Sequence, residues 1–166
     1  MHERIAICGR MCAGKTTLAS NLEWDHGFKR LSFAEPIKRY AGEIFGMTGK
    51  DRALIQDFGQ KMREIDNRVW IKLMERKLDS HPDQRVVIDD VRFWDEFLML
   101  RDRKFLLVRL DVGKEEQLSR IRKVYGDKAE SHIQRLQHES EGYVDEFPVD
   151  LTFSSCSDAL HYLCTP

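Results

Sequence analysis

Residues 8–17 read CGRMCAGKTT and follow directly on the apolar run Ile5-Ala6-Ile7. Gly9, four intervening residues, Gly14, Lys15 and Thr16 satisfy the pattern GxxxxGK[ST], placed where a short strand gives way to a helical stretch. The two glycines let the backbone curl until its N–H groups converge on phosphate oxygens. The following helix adds the positive end of its dipole, and Lys15 supplies a mobile cation. The Thr16 hydroxyl is of the kind that holds Mg²⁺ beside bound phosphates. A glycine-rich turn that only caps a helix is the plainer alternative.

Working outward, Ile5 to Cys8, Lys29 to Phe33, Arg85 to Ile88, Phe105 to Leu110 and Val149 to Phe153 are the strand candidates. Helix-length connections separate them, the rhythm of an α/β protein whose parallel sheet is covered on both faces. With 166 residues, 42% hydrophobic and 33% charged, the chain has the length and balance of one globular domain. A single helix is expected from about Asp51 to Leu78. Leu54, Phe58, Met62, Ile65, Val69 and Leu73 recur along it at three- or four-residue steps as its core stripe. A second stripe carries Gln56, Gly59, Arg63 and Trp70, and its plainer reading is a solvated face with one partly buried Trp.

Val86-Val87-Ile88-Asp89-Asp90 ends a buried strand with two carboxylates, which is costly unless a cation or strong donors compensate them. A magnesium ion would serve, and alternation lets only one of Asp89 and Asp90 point straight at the glycine-rich loop. Arg92 shares the side of Asp90 if the strand continues. A helix N-cap at or near Asp90 is the structural alternative. Further on, Arg120, Arg122, Lys123 and Arg135 lie in a polar stretch before the last strand, where a hinged lid over anionic ligands would lie; solvated helical arginines explain the same letters. His132 and His138, with Glu139 and Glu141, lack HExxH spacing, and no paired CxxC spacing supports zinc on Cys8, Cys12 or Cys156.

The formal charge of −1 argues against a protein that coats polymeric nucleic acid. No apolar run approaches membrane-spanning length, and Cys8, Cys12, Cys156 and Cys164 read as free thiols of a reducing, cytoplasmic compartment.

Taken in order, GRMCAGKT, SFAEPIK, QDFGQKMR with Trp70 after it, DDVRFWDE and HESE resemble the deoxynucleoside monophosphate kinases of bacteriophages, within the P-loop nucleotide kinases. The resemblance spans most of the chain. It implies a three-layer fold on a five-stranded parallel sheet in the order 2-3-1-4-5, with residues 1–166 as one domain. An acceptor-binding region at about 34–80 and a lid-like insertion at about 113–142 would belong to it. The implied reaction moves the γ-phosphoryl of Mg-ATP to a deoxynucleoside monophosphate. Gly9, Ala13, Gly14, Lys15, Thr16 and Thr17 would hold ATP, with Arg122 added from the lid, and Thr16 with Asp89 or Asp90 would hold Mg²⁺. Lys15, Arg92, Arg120, Asp89 and Asp90 would serve the chemistry. Phe33, Lys38, Gln56, Arg63, Trp70 and Arg92 would receive the acceptor, with Glu96 orienting Arg92.

The partner so implied is a small nucleotide, with no membrane and no nucleic-acid polymer; pairing into a homodimer is left open. The segment Phe153-Ser154-Ser155-Cys156-Ser157 departs from the Asn- or Gly-containing turn that many related kinases place against adenine. The rivals are a dephospho-coenzyme A kinase or other small-molecule P-loop kinase and, in a different class, a nucleotide-dependent switch or assembly factor. No NKxD motif supports a GTPase switch.

Overall fold

A computed structural model describes residues 3–47, 49, 51–134 and 139–165. The chain forms two compact units, one of Met1–Arg30 with Gln84–Pro166 and one of Leu31–Asp83.

The strands are β1 (Arg4–Cys8), β2 (Lys29–Leu31), β3 (Val86–Ile88), β4 (Leu106–Leu110) and β5 (Leu151–Phe153), in one five-stranded sheet of order β2-β3-β1-β4-β5. β1 pairs in parallel with β3 and β4, Ile5 lying opposite Val87 and Leu106, and β4 pairs in parallel with β5. β2 to β5 fall inside their expected runs, and β1 starts one residue before its own, at Arg4. The order is the one that the resemblance implied.

Four helices of the first unit cover this sheet. Ile5, Ile7, Val87, Val108 and Leu110 share one apolar cluster with Leu18 and Leu22 of α1 (Lys15–His26) and with Ala159 and Leu163 of α9 (Cys156–Cys164). At about 25 cal/mol per Å² of apolar surface removed from water, this layer is the main reason α1 and α9 stay packed on the sheet. On the other side, Phe97 of α5 (Trp94–Asp102) stacks on Phe147, just beyond α8 (Glu139–Glu146), with centroids 4.8 Å apart. Arg109 of β4 donates from Nε to the Val144 carbonyl at 3.0 Å and from Nη2 to the Phe147 carbonyl at 2.5 Å. A strand cation thus satisfies carbonyls at the negative end of α8.

Between β4 and β5, α6 (Lys114–Tyr125) leads through a single 3₁₀ turn (Gly126–Lys128) into α7 (Ala129–Gln134). His132 is buried there and stacks on Tyr125 at 3.7 Å. Arg135 and His138 lie outside the described residues. Among the described residues, no helix is long and apolar enough to cross a membrane.

The second unit consists of α2 (Ala34–Phe45), α3 (Arg52–Ile65) and α4 (Val69–Asp79). The one long helix expected from Asp51 to Leu78 is therefore two. Asp66 breaks it: its backbone is extended at φ −147°, and its Oδ1 accepts from Arg68 N–H at 3.0 Å. Aspartate competes for its own backbone in this way, which stops a helix whatever the apolar spacing says. The expected core stripe is displaced as a result. Ile65 is 79% exposed, whereas Trp70, Ile71, Met74 and Leu78 of α4 are buried. Ser32 caps α2, its Oγ accepting from the N–H groups of Ala34 and Glu35.

Candidate functional site

The loop between β1 and α1 has the shape that its glycines foretold. Gly9 and Gly14 sit at φ +138° and +101°, and Cys12 between them takes a left-handed φ of +60°. A methyl group on Gly9 would lie 2.3 Å from the Leu110 carbonyl oxygen, so no larger residue fits under the loop. Ala13 N–H closes a turn onto the Arg10 carbonyl at 3.2 Å, and α1 then starts at Lys15. Lys15 folds back along the loop, its Nζ 2.6 Å from the Gly9 oxygen and 2.7 Å from that of Arg10. Thr16 and Thr17 are exposed in the first turn of the helix. Left-handed residues, a helix N-terminus and an ammonium on the loop itself form a cradle for anionic oxygen.

Three other elements of the first unit reach this loop. From α6, Arg120 places Nη1 3.3 Å from the carbonyl oxygens of Cys12 and Ala13, while Glu116 on the same helix accepts from its Nε and Nη2. Gln117, one turn earlier, donates from Nε2 to the Met11 carbonyl at 2.9 Å. From α8, the Asp145 carboxylate accepts a forked pair from Arg10, with Nε–Oδ2 at 2.9 Å. Cys156 at the start of α9 flanks Gly14. Arg122 is exposed on α6, and an offset of two residues puts it well round the helix from Arg120.

The paired carboxylates after β3 divide in an unexpected way. The strand stops at Ile88, so Asp89, Asp90 and Arg92 lie in irregular chain and alternation does not govern them. Asp89, 4% exposed, is gripped by Arg30 of β2, with Nε–Oδ1 at 3.1 Å and Nη2–Oδ2 at 2.6 Å. The Arg30 guanidinium compensates this buried charge. Asp90 is half-buried and Arg92 is exposed. Glu96 accepts from the backbone N–H groups of Arg92 and Phe93 at 2.8 and 3.1 Å, thereby holding the start of α5. Burial, and then the charge of Asp90, push the Glu96 carboxyl up to about 8. Burial likewise pushes the Cys8 thiol, beneath the loop, up to about 11, which marks it as inert packing.

In the second unit, Phe33 is buried, Lys38 and Gln56 are exposed and Arg63 is half-buried. Trp70 stands on α4 and not, as expected, on the same helix as Gln56 and Arg63. It is 4% exposed, and its indole N–H donates to the Gly59 carbonyl at 3.1 Å. Gly59 is a seat for α2, since a methyl there would meet Ile37 at 3.4 Å. Trp70 therefore ties α4 to α3, and its ring lies against Phe58 at 6.1 Å.

For magnesium, the donors that fit are hard oxygens: the exposed Thr16 hydroxyl and the Asp90 carboxylate, Asp89 being committed to Arg30. Among the described residues, no group of three or more His, Cys, Asp or Glu side chains could cage a metal. That composition suits an ion which takes most of its ligands from phosphate and water.

Sequence reading missed Gln117, Arg10 and Arg30. Gln117 and Arg10 contact partners 106 and 135 residues away, and Arg30 one 59 residues away; no local pattern announces such pairs.

Comparison with solved structures identifies the fold. Shikimate kinase from Acinetobacter baumannii in complex with shikimate is 20% identical, with a TM-score of 0.60 over 98% of this chain and 93% of that one. Shikimate kinase from Bacteroides thetaiotaomicron is 19% identical, with a TM-score of 0.56 over 98% and 97%. The protein TT1252 from Thermus thermophilus is 16% identical, with a TM-score of 0.63 over the whole of both chains. Identities this low establish likeness of fold alone, that of the P-loop kinases. No curated protein sequence matches the chain. The loop, its helix and the strands that carry them lie within residues 5–141, over which the chain matches a family model described as an AAA domain, and on that match it belongs to the AAA_18 family.

Proposed function

We propose that the protein is an ATP-dependent kinase of a small molecule, and that its acceptor is a deoxynucleoside monophosphate. The observation that carries the first part is the loop of residues 9–17, with its left-handed residues and Lys15 folded over it. In this reading the loop amides and Lys15 hold the β- and γ-phosphates of ATP, and Thr16 and Asp90 are the oxygen ligands for magnesium. Bound Mg²⁺ would neutralise charge on the transferring phosphoryl group. Arg120 and Arg92 add positive charge where it is transferred. Lys38, Arg63 and Gln56 of the second unit, with Phe33, are the residues proposed to receive the acceptor. Trp70 acts behind them as support.

What favours a phosphate over a hydroxyl as nucleophile is the state of Asp89. An alcohol acceptor passes its proton to a positioned base, and the Asp89 carboxylate is held through both oxygens by Arg30, which restrains it from turning toward a substrate hydroxyl. A phosphate oxygen is anionic near neutral pH and needs only alignment and charge neutralisation. The second reading is an alcohol acceptor, as in a dephospho-coenzyme A kinase. The fold neighbours named shikimate kinase favour it; it would assign the base to Asp90.

The test is a panel of deoxynucleoside monophosphates, shikimate and dephospho-coenzyme A with Mg-ATP, following ADP release. Acceptor-dependent release with a deoxynucleotide is the expected result, and Lys15→Ala should lower it by about 10²–10³-fold. Release with an alcohol only would overturn the acceptor. ADP release that no acceptor stimulates would favour the switch.

A further inference from the structure

We infer that Gln117 is a positioning residue for nucleotide phosphate, acting through the backbone of the loop. The inference rests on the reading that residues 9–17 bind those phosphates. Among the described residues the buried polar side chains are Asp89, Glu96, Gln117 and His132. Gln117 is 2% exposed, and Ile121, one turn on, is fully buried. An apolar residue would fill that position on α6 at lower cost, because a buried amide is unfavourable unless its donors and acceptor find partners. Its Nε2 finds the Met11 carbonyl at 2.9 Å, and Arg120 takes the next two carbonyls, those of Cys12 and Ala13.

Three consecutive carbonyls are thus drawn toward one face of one helix. All peptides here are trans, and in a trans peptide the C=O and the N–H that follows point in opposite directions. Drawing the Met11 carbonyl toward α6 therefore turns the Cys12 N–H away from it, and drawing the Ala13 carbonyl does the same for Gly14 N–H. The peptide that Gln117 holds is the one leading into Cys12, whose left-handed backbone is unfavourable for a residue with a Cβ. Without the amide, the loop loses the contact that offsets that cost at its least favourable residue. Gln117 does not touch the ligand. It fixes the direction of amides that do.

The experiment measures binding of ADP and of inorganic pyrophosphate by calorimetry, with Mg²⁺, for the wild-type chain, Gln117→Leu and Gln117→Glu. Gln117→Leu removes the donor at nearly constant volume and should raise both dissociation constants by at least about tenfold. Gln117→Glu separates positioning from packing. Ionised, its carboxylate repels the Met11 carbonyl; protonated, its O–H donates as the amide did. Its dissociation constant relative to wild type should fall toward one as pH is lowered from about 8 to about 5, the range in which a buried carboxyl gains its proton. Wild-type pyrophosphate affinity in Gln117→Leu, or a ratio for Gln117→Glu that ignores pH, would overturn the role of Gln117. If Gln117→Leu does not fold, the pH series on Gln117→Glu decides alone. A wild-type chain that binds neither ADP nor pyrophosphate would instead remove the phosphate reading beneath it, and this role with it.

Discussion

Gly9 and Glu96 show how single residues at the site are fixed by different physics. At Gly9 the constraint is steric: an added methyl would meet backbone at 2.3 Å, and backbone cannot swing aside as a side chain can. Gly9→Ala should therefore cost about 2–3 kcal/mol in urea denaturation and lower ADP affinity together with it. At Glu96 the constraint is electrostatic. The folded protein holds a proton on this carboxyl up to about pH 8, whereas the unfolded chain releases it near the ordinary glutamate value of 4.5. The native state binds more protons across that window, so stability should fall as pH rises from about 4.5 to about 8 and level off above. Glu96→Gln keeps an oxygen for the N–H groups of Arg92 and Phe93 but does not ionise. Its unfolding midpoint should vary less over the same pH range and exceed that of wild type at the alkaline end; parallel profiles would refute the assignment. The resemblance gave Glu96 only the task of orienting Arg92, and the sequence offered Asp90 or a neighbour as the cap of α5. Its backbone partners and its burial were not legible, because both depend on chain folded around it.

Among the elements, the break between α3 and α4 marks the limit of reading periodicity. Ile65 and Val69 are four residues apart, as one continuous helix requires, so the apolar spacing runs through the break undisturbed. The signal lay in Asp66 and Asn67, residues that favour turns by bonding to their own backbone. Asp66 N–H still donates to the Met62 carbonyl at 3.0 Å, and Val69 N–H donates back to the Asp66 carbonyl at 2.9 Å. The Asp66 side chain is half-buried and doubly engaged, by Lys72 at 2.6 Å and by Arg68 N–H. Those two donors hold its carboxyl below the usual aspartate range, the Lys72 bond first. A carboxylate with a lowered pKa contributes stability above its unfolded value and loses it as pH falls. Asp66→Ala should therefore lower the thermal midpoint by about 2–4 °C at neutral pH. The difference from wild type should narrow as pH is taken down through the carboxylate range and, for the Lys72 part, as salt is raised. An unchanged midpoint at neutral pH would mean that packing of Trp70 and Met74 alone sets the break.

Over the whole molecule, 27 basic and 28 acidic side chains nearly cancel, and the question is which pairs matter. Among the described residues several ion pairs are exposed on both sides, such as Lys61 with Glu64 or Arg39 with Glu43, and pairs of that kind contribute about 0–1 kcal/mol each. Arg30 with Asp89 differs, because its carboxylate is 4% exposed and its guanidinium side chain 29%. The pair joins neighbouring strands β2 and β3 at the end of the sheet where the loop of residues 9–17 also emerges. The sheet itself was legible, since each strand is a short apolar run; the strand order came from resemblance, not from spacing. The need for a cation at the end of β3 was legible too: magnesium was the one expected, while Arg30, 59 residues from Asp89, was not legible as a partner. Two consequences separate those readings. Arg30→Met leaves a buried carboxylate uncompensated and should cost about 3–5 kcal/mol, while Arg30→Met with Asp89→Asn should recover a large part of that loss, since no buried charge then remains. A double-mutant cycle by urea denaturation, run with excess chelator and again with millimolar Mg²⁺, gives both answers. If Arg30 is the partner, the coupling between the two positions is the same in either buffer. A coupling that vanishes, with Arg30→Met as stable as wild type once Mg²⁺ is added, would return Asp89 to the metal and reopen the case for a hydroxyl acceptor.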